Sequence, residues 1–429
     1  MMKKFKYKHI GETLHHAVLD NGLNVFIVSK KGFSKTYSTF VTNFGASTTS
    51  FIPHGGSEFV DVPLGVAHFL EHKMFEMADG IDAMNHFDKM GADSNAFTDH
   101  NQTAYLVTAT NNIKKVLNLL LDFVQTPHFT DENVIKEQGI IIQELMMYKD
   151  KPSSRAYLGL LQNLFKKHPM REDIVGTEES IKSISKEVLN LCYDTFYHPS
   201  NMYLMVVGDV NPSKILQIVT DNQNKKIFTK REPVVRKQII EDEEINCVSD
   251  TIQMDIVTPK VYVGFKLITK KYDFNQIMID EMMIRLLLEY IIGQSSKNYQ
   301  YLLDNDLITT GLGYSVTIEK DFGYINIMTN SNKPDEFIDF IKTTLIDVNN
   351  HNIDQNSFDR MKKATIGSFI KSFNSLEYIA NVYIDTLIRG GDLFSFLDEF
   401  EKKTKDDLIS YTNIFKEDKF SSYIVLPKS

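Results

Sequence analysis

Apolar and polar positions along this chain follow two periods, and the switches between them mark out its elements. Asn21-Gly22 is a turn signal, and Leu-Asn-Val-Phe-Ile-Val after it reads as a strand. Tyr37 to Asn43 and Thr103 to Thr108 read as further strands, with helices between and after them. Over residues 131–150, DENVIKEQGIIIQELMMYKD, the apolar residues Val134, Ile135, Ile141, Ile142 and Leu145 predict a helix with a buried stripe. In the second half, Lys260 to Ile268 predicts a strand and Asp280 to Ile292 a strongly apolar helix. Gly313 to Ile318 and Gly323 to Thr329 predict a hairpin, and Asp335 to Val348 and Phe358 to Ile384 are helical in pattern.

The two halves end alike. Tyr193-Asp-Thr-Phe-Tyr197 followed by Tyr203-Leu-Met-Val-Val is matched by Tyr411-Thr-Asn-Ile-Phe415 followed by Ser421-Ser-Tyr-Ile-Val, at a constant offset of 218 residues. Identity is low, but the order of helix end, aromatic, polar turn and final strand is kept. A chain of 429 residues is too long for one ordinary core. The charged, proline-bearing stretch NQNKKIFTKREPVVRKQIIEDEE at 222–244 reads as a linker. These observations predict a first domain over 1–225, a linker over 226–245 and a second domain over 246–429. Alternating strand-rich and helix-rich segments suit a mixed α+β layer in each.

Candidate chemistry sits in GVAHFLEHKMFEM at 65–77, which contains His68-Phe-Leu-Glu71-His72. On a helix, positions i, i+3 and i+4 share a face, so His68, Glu71 and His72 can converge on one point. Two imidazoles at that spacing can bind zinc, and the carboxylate between them can act as base for the water the metal activates. A chain of this composition would carry roughly 0.02 such patterns by accident. The order is the reverse of HExxH and defines the inverzincin pattern. A helix with two solvated histidines is the plain alternative, and a third ligand argues against it. Glu137 and Glu144 lie two turns apart on one helical face. A glutamate beside Ile141 and Ile142 in an apolar stretch is costly unless something pairs with it, and a metal is one such partner.

This chain resembles the pitrilysin/insulinase family of zinc metallopeptidases. Glu144 falls at the family's ligand position and Glu137 one heptad earlier, at the supporting position. Gly91-Ala-Asp-Ser-Asn95-Ala96-Phe97-Thr98 resembles the strand next to the zinc, and Phe196-Tyr-His-Pro-Ser-Asn201-Met the segment leading to the first domain's last strand. GIIIQELMMYKDKP, HPMREDIVGTEESI and FYHPSNM are similar to a bacterial branch of short members, commonly encoded as pairs of which one partner carries the zinc motif. The resemblance implies two homologous domains like those of mitochondrial processing peptidase subunits, each a mainly antiparallel sheet with helices on one face. It implies one zinc per chain, held by His68, His72 and Glu144. Glu71 would be the catalytic base, Glu137 would orient a ligand histidine, and Asn95, Ala96, Phe97 and Thr98 would pair with an extended peptide. The implied activity is zinc-dependent endopeptidase action. The alternatives are a scaffold and a maturation factor that keeps the zinc site, and an intact ligand set with its base argues against the scaffold.

One departure limits that reading. The second half has no HxxEH, and its helix DEMMIRLLLEYIIG contains no histidine. Assemblies of this family usually draw an arginine and a tyrosine, seven apart, from a domain without zinc to hold the substrate carbonyl. Seven before Tyr314 stands Leu307. The expected partner is therefore a paralogous subunit that lacks HxxEH and carries the pair, with a homodimer as the other possibility. A net charge of −9 argues against nucleic acid. Cys192 and Cys247, with no CxxC, match a reducing cytoplasm. The lysine-rich start MMKKFKYKHIGETL has no apolar segment behind it and reads as a solvated tail. No run of 18 apolar residues occurs, so no membrane association is expected.

Overall fold

In the first half the strand pattern becomes β1 (Lys3–Tyr7), β2 (Glu12–Val18), β3 (Asn24–Ser29), β4 (Thr36–Thr42), β5 (Ser50–Ile52), β6 (Val60–Asp61), β7 (Ala92–Thr98), β8 (Thr103–Ala109), β9 (Met202–Gly208) and the short β10 (Val235–Arg236). The second half adds β11 (Ser249–Met254), β12 (Lys260–Lys266), β13 (Gly313–Ile318), β14 (Gly323–Asn330) and β15 (Phe420–Pro427). The computed structural model describes residues 1–269, 273–350 and 353–428, apart from the side chains of 349 and 350.

Two sheets dominate. The first has the order β1-β2-β3-β9-β4-β8-β7 and the second β11-β15-β12-β14-β13. Five strands of each match one for one. β3 and β11 run parallel to β9 and β15, and every other pair in both sets is antiparallel. The expected α+β fold with two homologous, mainly antiparallel domains is borne out. A small sheet of β10, β5 and β6 lies beside the first, so the linker is already paired at Val235–Arg236. β1 corrects the sequence reading, since the N-terminal lysines form an edge strand on β2, not a tail. Lys3, Lys4 and Lys6 are exposed there, and lysines suit an edge because they deter further strand pairing.

The repeat runs with the chain, but compactness does not. One unit comprises Met1–Leu145, Asp173–Gln238 and Ser372–Ile388, and the other Met146–Glu172, Ile239–Lys371 and Arg389–Ser429. Each unit thus holds a helix from the opposite half. In the first, the helix Leu376–Ile388 packs on β9 and β4. Asn381 Nδ2 donates to Tyr37 Oη at 2.9 Å, and Tyr383 stands 5.4 Å from Phe26 ring to ring. In the second, the helix Pro152–Leu164 packs on β15 and β12. A Cβ at Gly159 would lie 2.2 Å from the Tyr423 ring, so helix and strand meet at bare-backbone distance. Ala156, Leu160, Leu164 and Phe165 join Tyr262, Tyr324 and Val425 in the core there.

The sequence pattern read 358–384 as one helix. The structure divides it into Gln355–Ser372 and Leu376–Ile388. Ser375 Oγ accepts from Tyr378 N at 3.1 Å, an N-cap that starts the second helix.

The turn from β7 to β8 carries a carboxylate with a shifted titration, Asp99. Asp99 Oδ1 accepts from the backbone N–H of Asn101 at 2.7 Å and of Gln102 at 2.8 Å. Burial, and then the charge of Asp385 on the exchanged helix, push its carboxyl up to about 6 from the ordinary 3.8. The folded-state value lies above the unfolded one, so the native protein binds more protons between about pH 4 and 6 and loses stability as pH rises through that window. Asp99→Asn is therefore expected to stabilise the protein by about 1–2 kcal/mol at pH 7.5. That is less than the full shift implies, because the side chain keeps some solvent contact. Urea midpoints at pH 7.5 and pH 4.5 check this, because the gain should shrink to a minor fraction at the lower pH, near the bottom of that window.

Candidate metal centre

The motif lies on α1 (Val66–Met74). The helix is apolar nearly all round: Val66, Ala67, Phe69, Leu70 and Met74 are buried, which fixes its orientation within the unit. Gly65 starts it at φ 86, where a Cβ would stand 2.2 Å from Val175 O. Only glycine combines that conformation with so close an approach.

After α2 (Ala83–Asp88) and α3 (Ile113–Val124) comes α4 (Asp131–Lys149), which supplies the other carboxylates. Its start is held by a reciprocal pair: Thr130 N donates to Asn133 Oδ1 at 2.9 Å, and Asn133 N to Thr130 Oγ1 at 3.1 Å. Val134, Ile141 and Leu145 are buried as the stripe predicted. Ile142 is half-buried, and Ile135 is exposed, because the buried face is narrower than the sequence stripe.

The structure brings His68, His72 and Glu144 together, with one possible ligand atom from each within 4.8 Å of the others. Both Nε2 atoms converge on Glu144 Oε2, at 3.7 Å from His68 and 3.4 Å from His72. These are too long for hydrogen bonds but suit ligands sharing an ion. Tetrahedral zinc with bonds near 2.05 Å sets its ligand atoms about 3.3 Å apart. His72 Nδ1 and Glu137 Oε1 are 3.0 Å apart, which turns Nε2 toward Glu144. Burial, then the neighbouring His72, pull the His68 imidazole down to about 3, so it is neutral with a lone pair to offer. Burial alone would lower His72 too, but the hydrogen bond to Glu137 and the charges of Glu137, Glu144 and Glu71 outweigh it and raise it.

Glu71 is buried on the same helix. Burial raises its carboxyl, and the charge of Glu144 adds to this, against the opposing effects of Thr98 and His72. The Thr98 hydroxyl donates to Glu71 Oε2 at 2.6 Å. Thr98 belongs to β7, which also holds Asn95, Ala96 and Phe97 and is the edge of the first sheet. Ala96 N donates to Asn95 Oδ1 at 2.8 Å, so a side chain caps this edge amide. A cavity of about 520 Å³ opens beside Glu71 and His72, lined in part by Phe75, Met84, Asn95, Ala96, Lys136 and Ile140. The apolar stripe of α4 pointed inward and gave no sign that Ile140 lines a cleft.

Tyr314 and Leu307 belong to the other unit. Leu307 is buried in it, and the Tyr314 hydroxyl donates to Glu289 Oε2. Arg285, on the same helix as Glu289 (Phe274–Ile292), directs Nη2 to Val316 O at 2.9 Å.

The insulinase (peptidase family M16) model matches residues 47–178, and the peptidase M16 inactive domain model matches 183–365. The chain is 40% identical over its whole length to a Bacillus subtilis protein named as the uncharacterized zinc protease YmfH, all of which is covered. The fold superposes on a crystal structure of an M16-like peptidase from Alicyclobacillus acidocaldarius with a TM-score of 0.93 and 32% identity, covering 97% of this chain and 99% of that one. A protease from Helicobacter pylori shares the fold at 18% identity and a TM-score of 0.83, over 96% of this chain and 99% of that one. The chain belongs to the insulinase family of peptidases, M16.

Among the described residues no helix is long and apolar enough to cross a membrane. Cys192 and Cys247 are both free thiols; Cys192 is buried in a helix, while Cys247 lies just before β11.

Proposed function

We propose that this chain is a zinc-dependent endopeptidase and the motif-bearing subunit of a heterodimer. The convergence of both Nε2 atoms on Glu144 Oε2, with Glu71 on the same helix face, carries the reading. His68, His72 and Glu144 would hold one zinc per chain. Bound zinc supplies a Lewis acid that acidifies water and polarises the scissile carbonyl. Glu71 takes the proton from the attacking water on its carboxylate and passes it to the leaving amine. Thr98 fixes the carboxylate from the edge strand, and Glu137 fixes His72. An extended peptide adds to the edge at Asn95, Ala96, Phe97 and Thr98, taking over the Ala96 amide that Asn95 caps. The name zinc protease carried by YmfH supports the metal. The free thiols support a cytoplasmic setting.

The partner follows from what the chain does not supply. Leu307 stands where the family's arginine would, and the Tyr314 hydroxyl is engaged by Glu289. The sequence match to a mitochondrial processing peptidase β subunit, 27% over 46% of this chain, is in keeping with paired subunits. Donors to a developing oxyanion are worth about 10²–10³ in rate, so this chain alone is expected to be weakly active. Mixing it with the paralogue that lacks HxxEH should raise peptide hydrolysis about tenfold or more. The decisive experiment is cleavage of a peptide library with and without chelator and paralogue, alongside zinc analysis. Failure to take up zinc, or activity indifferent to chelation, sinks the peptidase reading. Full activity alone with no gain on mixing sinks the heterodimer.

A further inference from the structure

Lys73 directly follows the second histidine of the motif, and its side chain has no exposure to solvent. A buried ammonium persists only where carboxylates pair with it. Its Nζ is bonded to Glu76 Oε2, just past the C-terminal end of α1, and stands 4.0 Å from Glu137 Oε2 on α4. Glu137 turns its other oxygen, Oε1, to His72 Nδ1 at 3.0 Å. One carboxylate therefore lies between the imidazole and the ammonium of consecutive residues, bonded to the first and within ion-pair reach of the second.

Glu76 alone does not account for this burial. Its side chain is 38% exposed, so a plain surface pair with a solvated lysine was open to it. The inward course of Lys73 carries its charge to Glu137, which is 13% exposed. A hydrogen bond to one oxygen leaves the carboxylate plane free to rotate, and a charge beside the other oxygen restrains it. The aim of His72 Nε2 depends on that plane.

We propose that Lys73 is a positioning residue of the metal centre, holding Glu137 so that His72 presents Nε2 to the ion. The proposal rests on the zinc reading above and deepens it. Outer partners of ligand histidines change metal affinity about 10–100-fold when altered, and a residue one contact further out should act toward the lower end.

The test is the zinc dissociation constant by chelator competition. Lys73→Met alone leaves Glu76 and Glu137 without the buried cation between them, so the working variant is Lys73→Met with Glu76→Gln, which removes both members of the ion pair together. Its affinity should fall about tenfold. Glu76→Gln alone should leave affinity near wild type, and Lys73→Arg should keep most of it. Adding Glu137→Gln to the double variant should weaken binding no further than Glu137→Gln alone, because the lysine acts through that carboxylate. Wild-type affinity in the double variant overturns the proposal, even if the metal-free melting temperature falls, since that marks a merely structural lysine. Additive losses with Glu137→Gln overturn it too. Wild-type protein that binds no zinc overturns the zinc reading itself.

Discussion

Glu71→Gln is expected to keep its zinc and lose about 10²–10⁴-fold in kcat/KM, the range of a positioned general base. Glutamine has the same shape, and its side-chain oxygen can still accept from the Thr98 hydroxyl, which holds Glu71 Oε2 at 2.6 Å. What it cannot do is accept a proton from water. The ion should stay, because the three ligand atoms come from His68, His72 and Glu144. Hydrolysis of a fluorogenic peptide, with elemental zinc measured on the same preparation, separates the two properties. If zinc is lost along with activity, Glu71 is a ligand or a structural prop, and its assignment as base is wrong.

Glu144→Ala is expected to act at the other end of the mechanism. Both imidazole nitrogens converge on its Oε2, so its loss leaves two ligands facing a gap. Zinc affinity should fall by more than about 10²-fold, beyond the range of changes in residues that merely support ligands. A thermal readout gives an independent check. Zinc at a hundredfold excess over Kd stabilises a folded binder by about 2.7 kcal/mol, and the variant should show no such gain. Stoichiometric zinc in Glu144→Ala would mean that the ion sits elsewhere.

The sequence disclosed this site because each part obeys a local rule. His68, Glu71 and His72 share a face through helical period alone, and Glu137 and Glu144 through the heptad. What stayed hidden depends on tertiary neighbours. Lys73 reads as an ordinary helical lysine, and only the approach of α4 makes it a buried cation beside Glu137. The carboxylate of Asp99 looks like any turn aspartate until burial and the charge of Asp385, far along the chain, act on it. Ile135 was expected inside and lies outside, because periodicity gives the direction of a stripe and not its width. The strands were legible from alternation, Gly22 and the hairpin spacing. The destination of Leu376–Ile388 was not, because nothing in an amphipathic helix says which sheet it will cover.

That crossing of helices bears on how the molecule came to be and how it comes apart. Pro152–Leu164 follows the first half's α4, and Leu376–Ile388 follows the corresponding long helix Gln355–Ser372, so equivalent segments have traded places. An ancestor with one such half would have had to lend its helix to a twin and borrow one back. Joining the two genes would turn that loan into a single polypeptide. Its legacy is mutual dependence. A protease that nicked the connection between the halves would release neither, since each fragment would carry away a piece of the other's interior, including the Gly159 face pressed against Tyr423.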